Sequence, residues 1–449
     1  MVDSEIRPAR RVSFCVAAVC LLLAAYGEVR AQGSATLGNG LTAAAIARGG
    51  INAAQRDSPL DAMQGNPAGL AQTSARSLDL SAVGVVVGGS FQNALNPDAH
   101  PTGVAGALPF AAVALPIRQS PWVAAAAVTP EILMRANWHY LDTPGTAGVT
   151  YGNQLQEDQI IAIRSALGIA RSFSPRWSAG ASLGIVYNAN NLNAPYIFQQ
   201  QPQLAGLKVL LSLGTHGYGW NGGAGVQFQP SPRLHLGLAW KSGTTLRTRG
   251  IATGSASALF TALGISANPA FGYNAQVENH LPQAFDAAVS WQAPHHLAIA
   301  FQTDFTAWGQ AFQQLPITLT NGSNPTINSV VGSSTLHDAV PLHWNNQGTY
   351  RAGFEHPLGE SWTLRGGFSW ANNPVPSATL IPLTAAIMRS AIATGAGYSR
   401  GRWRLDAAYQ AQLPSTQSVS QSSLQAGEYN NSRIRIFTQS LTLTARTTF

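Results

Sequence analysis

Gly180-Ala181-Ser182-Leu183-Gly184 has the spacing of a hydrolase nucleophile elbow. That motif works where a strand turns sharply into a helix and lifts the serine into the open. Here it lies inside an alternating run with no helix after it, so serine chemistry is not expected. His295 and His296 are adjacent at a turn. Neighbours on an extended chain point apart, so they are a poor metal pair. The chain has two cysteines, Cys15 and Cys20, both near its start. No enzyme activity, metal or cofactor is expected. The residues left with chemical potential are a few scattered charges and two groups of leucines.

The thin charge is itself informative. Asp, Glu, Lys and Arg make up 10% of the 449 residues, against ~25% in an ordinary soluble domain. Hydrophobic residues are an ordinary 45%, Gly is high at 44, and Lys208 and Lys241 are the only lysines. A soluble protein of this size needs more charge on its surface, and a disordered one would be charge-rich. Mean hydropathy near zero argues against a bundle of membrane helices. The net charge of +7 is spread along the chain, without the basic cluster that nucleic-acid binding requires.

The elements that must position these residues are strands. Residues 1–31 read as a secretory signal. Arg7, Arg10 and Arg11 precede the apolar run Val12 to Ala25, and Val29-Arg30-Ala31 offers a cleavage site. Both cysteines fall inside it, so the exported chain has no disulfide. From about residue 77 the period is two. Phe437, Gln439, Leu441, Leu443, Ala445, Thr447 and Phe449 share one face, with Thr438, Ser440, Thr442, Thr444, Arg446 and Thr448 on the other. Trp362 to Trp370, Trp403 to Tyr409, Leu297 to Phe305 and Leu234 to Trp240 alternate likewise. A soluble β-sandwich also alternates, but its strands run ~5–6 residues. Many of these run about 12–18, and a tilted strand needs ~9–11 to cross hydrocarbon.

Connection lengths then set the topology. Six short ones (119–121, 174–176, 230–232, 294–296, 357–361 and 399–402) alternate with seven long ones. The long ones span roughly 93–103, 135–157, 192–213, 250–277, 316–344, 374–388 and 414–432. That pattern makes fourteen antiparallel strands with both chain ends on the short-turn side. Short inner turns and long outer loops are the signature of an outer-membrane β-barrel, whose closure pairs every edge. Trp122, Trp177, Trp362 and Trp403 lie near short turns and suit an inner aromatic girdle. Tyr187, Trp240, Trp308 and Trp370 suit the outer one. Residues 32–76 do not alternate, and a lumen this wide needs such a segment to fill it. The expected domains are thus a signal at 1–31, an N-terminal hatch or plug at 32–76 and a barrel at 77–449.

Within that frame the chemistry can be placed. If apolar faces meet lipid, Arg164, Lys241, Asp286, Asp304, Arg365, Arg404, Asp406 and Arg446 point into the lumen. Most must pair with one another or with Arg48, Arg56, Asp57 and Asp61, because a buried unpaired charge is costly. Arg164 and Arg365 are the candidates to hold a cargo carboxylate through charge-assisted bonds. Pro130 removes a ladder donor from the third strand, which suits either a local opening in the wall or a point where pairing has already ended. In the third long loop Leu204, Leu207, Leu210 and Leu211 recur at near-helical spacing, and Phe260 and Leu263 sit in the fourth. Exposed, they would line an apolar groove; alternatively the loops pack on each other.

The motifs resemble a known family. Asn66-Pro67-Ala68-Gly69-Leu70 is similar to the hatch signature of FadL-type long-chain fatty acid transporters. The resemblance continues in Gly219-Trp220-Asn221-Gly222-Gly223-Ala224, Asp304-Phe305-Thr306-Ala307-Trp308, Trp344-Asn345, Arg351-Ala352-Gly353-Phe354-Glu355 and Leu364 to Pro374. It covers essentially the whole mature chain. It implies a fourteen-strand barrel plugged by a hatch, and passive uptake of a hydrophobic molecule. The cargo would dock among the outer loops, pass to a lumen pocket against the hatch, and leave sideways where the third strand is kinked. Members carry long-chain fatty acids or aromatic hydrocarbons. Gly65 stands where an aromatic is common, and Trp-Ala-Asn-Asn-Pro ends the eleventh strand where an acidic residue is expected. The expected partners are therefore that hydrophobic small molecule, outer-membrane lipid and lipopolysaccharide, and the barrel insertion machinery, with Phe449 as its recognition end. The protein is expected to be a monomer. A general diffusion porin is the competing reading; it would lack a hatch and carry a charged constriction loop.

Overall fold

The computed structural model describes residues 40–449 except residue 104. The expected signal at 1–31 lies outside the described residues. The barrel strands are β1 (Ser77–Gln92), β2 (Ala105–Pro116), β3 (Trp122–Leu141), β4 (Asn153–Ser172), β5 (Trp177–Ile197) and β6 (Lys208–Ser231). They continue with β7 (Leu234–Lys241 and Thr244–Ser255), β8 (Ala270–Leu281 and Ala284–Gln292), β9 (Ala298–Thr306 and Gln314–Thr320) and β10 (Leu336–Pro341 and Gln347–Leu358). The last are β11 (Trp362–Ala371), β12 (Ser390–Arg400), β13 (Trp403–Val419) and β14 (Ser432–Thr448). Every neighbour is antiparallel. β1 closes on β14 from Ser77↔Thr448 to Gln92↔Arg433.

Eighteen ladder segments therefore make fourteen strands, because β7 to β10 are each interrupted once. The interruptions fall at one height, since Lys241 pairs with Ala284, Ala284 with Thr306, and Thr306 with Gln347. Above that level the outer halves of β6 to β10 form an extension of the sheet beyond the barrel body.

The burial pattern inverts that of a soluble sheet. Leu441 and Leu443 are each 55% exposed while Thr442 between them is fully buried. Leu167, Trp220, Leu238 and Leu405 are exposed; Arg164, Asn188, Thr248 and Arg365 are buried. An apolar face is stable outward only if it meets hydrocarbon, and a buried polar face only if its groups find partners inside. The alternation thus reads as a lipid-facing wall around a polar lumen.

Inside lie α1 (Ala43–Ala47), α2 (Pro59–Gln64) and a 3₁₀ turn at Pro67–Gln72. These elements are too short to be stable alone. Each is capped by its own sequence: Thr42, Ser58 and Asn66 accept from the second or third backbone N–H beyond them, and Pro59 and Pro67 occupy first-turn positions. Leu60, Met63 and Leu70 then pack on Phe110, Ala125, Val128 and Ile163 of β2 to β4.

Three sequence expectations need correction. The loops are shorter than their polar composition suggested, since β3 to β6 run on for 20 or more residues. Residues 208–213 are the top of β6 and not helical: Val209, Leu211 and Leu213 face one side. Trp308 is absent from the outer girdle. It is 4% exposed, in α4's position at the β9 interruption (Trp308–Ala311; the intervening helix α3 is Ser257–Ala262), packed on Phe312 and Trp344.

Candidate functional site: the hatch, the lumen cavity and a break in the wall

The hatch is fastened by a closed ring of six alternating charges. Arg48 pairs with Asp57 at 3.0 Å and with Glu355 at 2.8 Å. Arg365 pairs with Glu355 at 2.6 Å and with Asp406 at 2.8 Å. Arg404 pairs with Asp406 at 2.8 Å and with Asp57 at 3.7 Å. The ring thus joins the hatch to β10, β11 and β13 with zero net charge, which is how six charges tolerate a site away from water. Burial pushes the Asp57 carboxyl up, but Arg48 and Arg404 outweigh it and hold it well below the usual range.

On the other side of the barrel the fastening is neutral. Asn66 Nδ2 donates to the carbonyls of Ala53 (2.8 Å), Val226 (3.1 Å) and Leu238 (3.2 Å), while its Oδ1 accepts from Ala68 N (3.0 Å). The hatch backbone comes this close because Gly225 and Gly237 offer no Cβ. One placed there would run into Asn66 or into the backbone of Ala53. Arg56 and Asp61, expected among the paired charges, are satisfied otherwise. Arg56 donates to Gln227 and Gln229, and Asp61 accepts from Leu41 N, Thr42 N and the Thr42 hydroxyl.

The two arginines singled out from sequence do face the lumen, and both are engaged. Arg164 donates to Asn221 (2.6 Å), Ser182 (2.8 Å) and Met63 O (3.3 Å), and Glu131 lies 3.7 Å away. Ser182 is thus a lumen hydrogen-bond partner on β5. Arg365 sits between two carboxylates of the ring. Sequence could place these side chains inward but not see their partners, which lie 10 to 101 residues away.

Above the hatch lies a cavity of about 130 Å³. Asn52 and Gln64 line its hatch side, and Glu131, Lys241, Asp286, Asp304 and Arg351 its wall. Arg351 is held by Asp304 at 2.6 Å. Lys241 is less encumbered: it is 22% exposed, with Glu131 at 3.3 Å. Sequence reasoning missed Glu131. Its signal was Pro130, which cannot continue the ladder and leaves Glu131 bulged between Pro130↔Ile163 and Ile132↔Ala162.

The wall beside that bulge changes partner. The β2–β3 ladder runs from Pro116↔Val123 to Ala111↔Val128 and stops. β2 continues upward against β1 to Val86↔Ala105, and β3 against β4 to Leu141↔Asn153. Among the described residues the next β-bridge of β3 toward the β1–β2 side is Pro101↔Trp138. Gln64 Nε2 of the hatch reaches Pro130 O at 3.4 Å, just inside this break.

At the outer end a second apolar cluster gathers Leu204, Leu211, Leu213, Leu259 and Phe260 with Tyr196, Phe271 and Tyr273. Leu207 packs at its edge, Leu210 is half-buried on the other face of β6, and Leu263 is 53% exposed. Only about 40 Å³ is left open among these side chains. Here mutual packing of the loops fills most of the groove.

Sequence and structure comparisons agree with this architecture. The family described as outer membrane protein transport protein (OMPP1/FadL/TodX) matches residues 25–449. No curated protein sequence matches the chain. The toluene transporter TbuX of Ralstonia pickettii superposes with a TM-score of 0.71 at 17% identity, over 92% of this chain and 99% of that one. A FadL homologue of Pseudomonas aeruginosa gives 0.72 at 17%, over 94% and 100%. The P. putida toluene transporter TodX gives 0.71 at 15%, over 92% and 99%. At such identity these likenesses speak to the fold, while the match over nearly the whole sequence settles membership. The chain belongs to the OMPP1/FadL/TodX family, barrels of the Gram-negative outer membrane that transport hydrophobic compounds.

Proposed function

We propose that the protein takes up a long-chain fatty acid passively, by a route from the outer loops through the lumen cavity to the break between β2 and β3. In this reading residues 32–76 are the plug and residues 77–449 the barrel, and it works as a monomer in outer-membrane lipid and lipopolysaccharide after delivery by the insertion machinery. Leu204, Leu207, Leu211 and Phe260 receive the chain, with Leu210 and Leu263 at the rim. At ~0.8 kcal/mol per buried CH₂, a long chain supplies ample attraction.

The observation that carries the fatty-acid reading is Lys241. It lines the cavity with Glu131 as its ion-pair partner, and it stands at the bulge beside the break in the wall. Arg164, held by Asn221, Ser182 and Met63 O, and Arg365, held between Glu355 and Asp406, orient and fasten instead. A cargo carboxylate at Lys241 competes with Glu131, its ion-pair partner, in a cavity that Asp286 also lines. An aromatic hydrocarbon is the second reading, favoured by the likeness to the toluene transporters; it would need no cation. A general porin fits poorly with a lumen occupied by a hatch fixed at both sides.

Titrating the purified barrel with oleate and with p-xylene tests the choice. Lys241→Met should weaken oleate binding by about 10-fold or more, from the ~1.5–3 kcal/mol of a hydrogen bond to a charged group, and leave p-xylene unchanged. Equal oleate affinity in the variant refutes the carboxylate site. Binding of p-xylene alone supports the second reading.

A further inference from the structure

The connection from β11 to β12, residues 372–389, is built unlike a solvent loop. Val375, Leu380, Leu383, Ala386, Ile387 and Met388 are each at most 7% exposed. It crosses the lumen, and its turn at Pro382–Thr384 packs on β3 and β4. Its two halves are held differently. The first is pinned by polar contacts: Gln417 donates to Val375 O (3.0 Å), Ser423 to Ala378 O (3.1 Å), and Thr379 Oγ1 to Leu342 O (2.6 Å). Residues 381–388 have no such tie. Among the described residues their hydrogen bonds are local, Thr384 N to Ile381 O and Ala386 N to Thr384 O. None reaches a wall strand, and the Thr384 hydroxyl is buried without a partner.

The seat of this strap is the inner side of the break. Its side chains lie against Val87 of β1, Met134, Ala136 and Trp138 of β3, and Ile436 of β14, with Arg135 and Thr438 the polar members of the lining and only about 30 Å³ left empty. β1 and β3 are the strands that flank β2, and among the described residues no β2 ladder runs on β3 above Val128. The strap fills the apolar place that this absence creates.

We propose that residues 381–388 are an internal door to the β2–β3 break, an apolar strap that the cargo displaces. This rests on the lateral route proposed above. A segment held by apolar contact alone can be exchanged for an apolar ligand with no hydrogen bond to the wall lost. A ligand that occupies the seat only when the strap is out shifts the equilibrium by its affinity for that state. The ends stay fixed while the middle moves. Ala371 N donates to Arg389 O at 2.7 Å at one end, and the polar ties at 375–379 hold the other.

Residues 40–449 contain no cysteine, so one introduced thiol reports cleanly. In the full barrel, Ala386→Cys should react slowly with a water-soluble maleimide, and saturating oleate should speed the reaction ~5-fold or more, as opening exposes the site. An unchanged or slower rate, with oleate binding verified by calorimetry, overturns the door. Absence of any oleate binding refutes the uptake reading instead, and the door is then decided without cargo. With residues 381–387 replaced by a Gly-Ser segment, Met134→Cys should become reactive, although Met134 is 3% exposed in the native barrel. If that thiol stays unreactive, the strap does not cover the seat and the proposal falls.

Discussion

Asn66→Asp is the sharpest test of how the hatch is held. The substitution keeps the size and the Oδ1 that accepts from Ala68 N, removes the donor, and sets a carboxylate oxygen against the same carbonyls, whose repulsion adds to the cost of the lost bonds. The lost donor serves three carbonyls, of Ala53, Val226 and Leu238. Two of these belong to β6 and β7, so the perturbation falls on docking rather than on the hatch alone. A net hydrogen bond is worth ~1 kcal/mol, and a carbonyl left buried without a partner costs ~1–3 kcal/mol. The two wall contacts together give about 3 kcal/mol, or ~10²-fold in the ratio of docked to undocked hatch. The barrel ladders are untouched, so a folded-barrel gel shift should be as in the parent. Amide exchange in hatch peptides covering 53–72 should accelerate by about that factor, and planar-bilayer conductance should rise as the plug loosens. Unchanged exchange in those peptides, in a barrel of normal gel shift, refutes the reasoning.

Three further outcomes follow from the same geometry. Glu355→Gln removes one carboxylate from the ring and leaves Arg48 and Arg365 with one partner each. Since Glu355 is 29% exposed, the cost is about 2 kcal/mol, read as faster hatch proteolysis that high salt reproduces in the parent. Deleting residues 32–72 should give a barrel that inserts and conducts ions; an unchanged, closed barrel would defeat the plug. The outer loops should respond to pH through Glu428, which shares Lys208 Nζ (2.9 Å) with Asp142 (2.5 Å) beneath Tyr140 and Tyr429. Burial, only partly offset by Lys208, pushes the Glu428 carboxyl up to about 7. A raised carboxyl binds its proton more tightly in the folded loop. Its contribution is therefore complete below pH ~4.5 and lost as pH rises through 7, on the order of 3 kcal/mol in all. Exchange of residues 420–431, corrected for intrinsic rate, should be more protected at pH 5.5 than at pH 8, and Glu428→Gln should flatten the difference.

Much of this architecture is local and therefore legible in the sequence. The period of two, the Pro- and Gly-marked turns and the alternation of long and short connections fix strand number and which face meets lipid. Capping residues Thr42, Ser58 and Asn66 mark where the hatch elements start. Two of the departures show why a local reading fails. Leu204 to Leu211 read as helical because a loop and a strand top met inside one window. Trp308 read as a girdle residue because the interruption of β9 has no sequence period to announce it.

What the amino-acid sequence determined by itself is which way each side chain points, because on a strand that depends only on parity. Which charges meet across the lumen was decided by the tertiary structure. Barrel closure, strand stagger and the seat of the hatch bring Arg48, 307 residues from Glu355, into one ring with it and leave Lys241 lightly held. No local pattern encodes those distances. The thin charge of the chain thus reflects a lipid-facing wall that needs none, and the pairing of the few charges inside it is a property of the closed barrel.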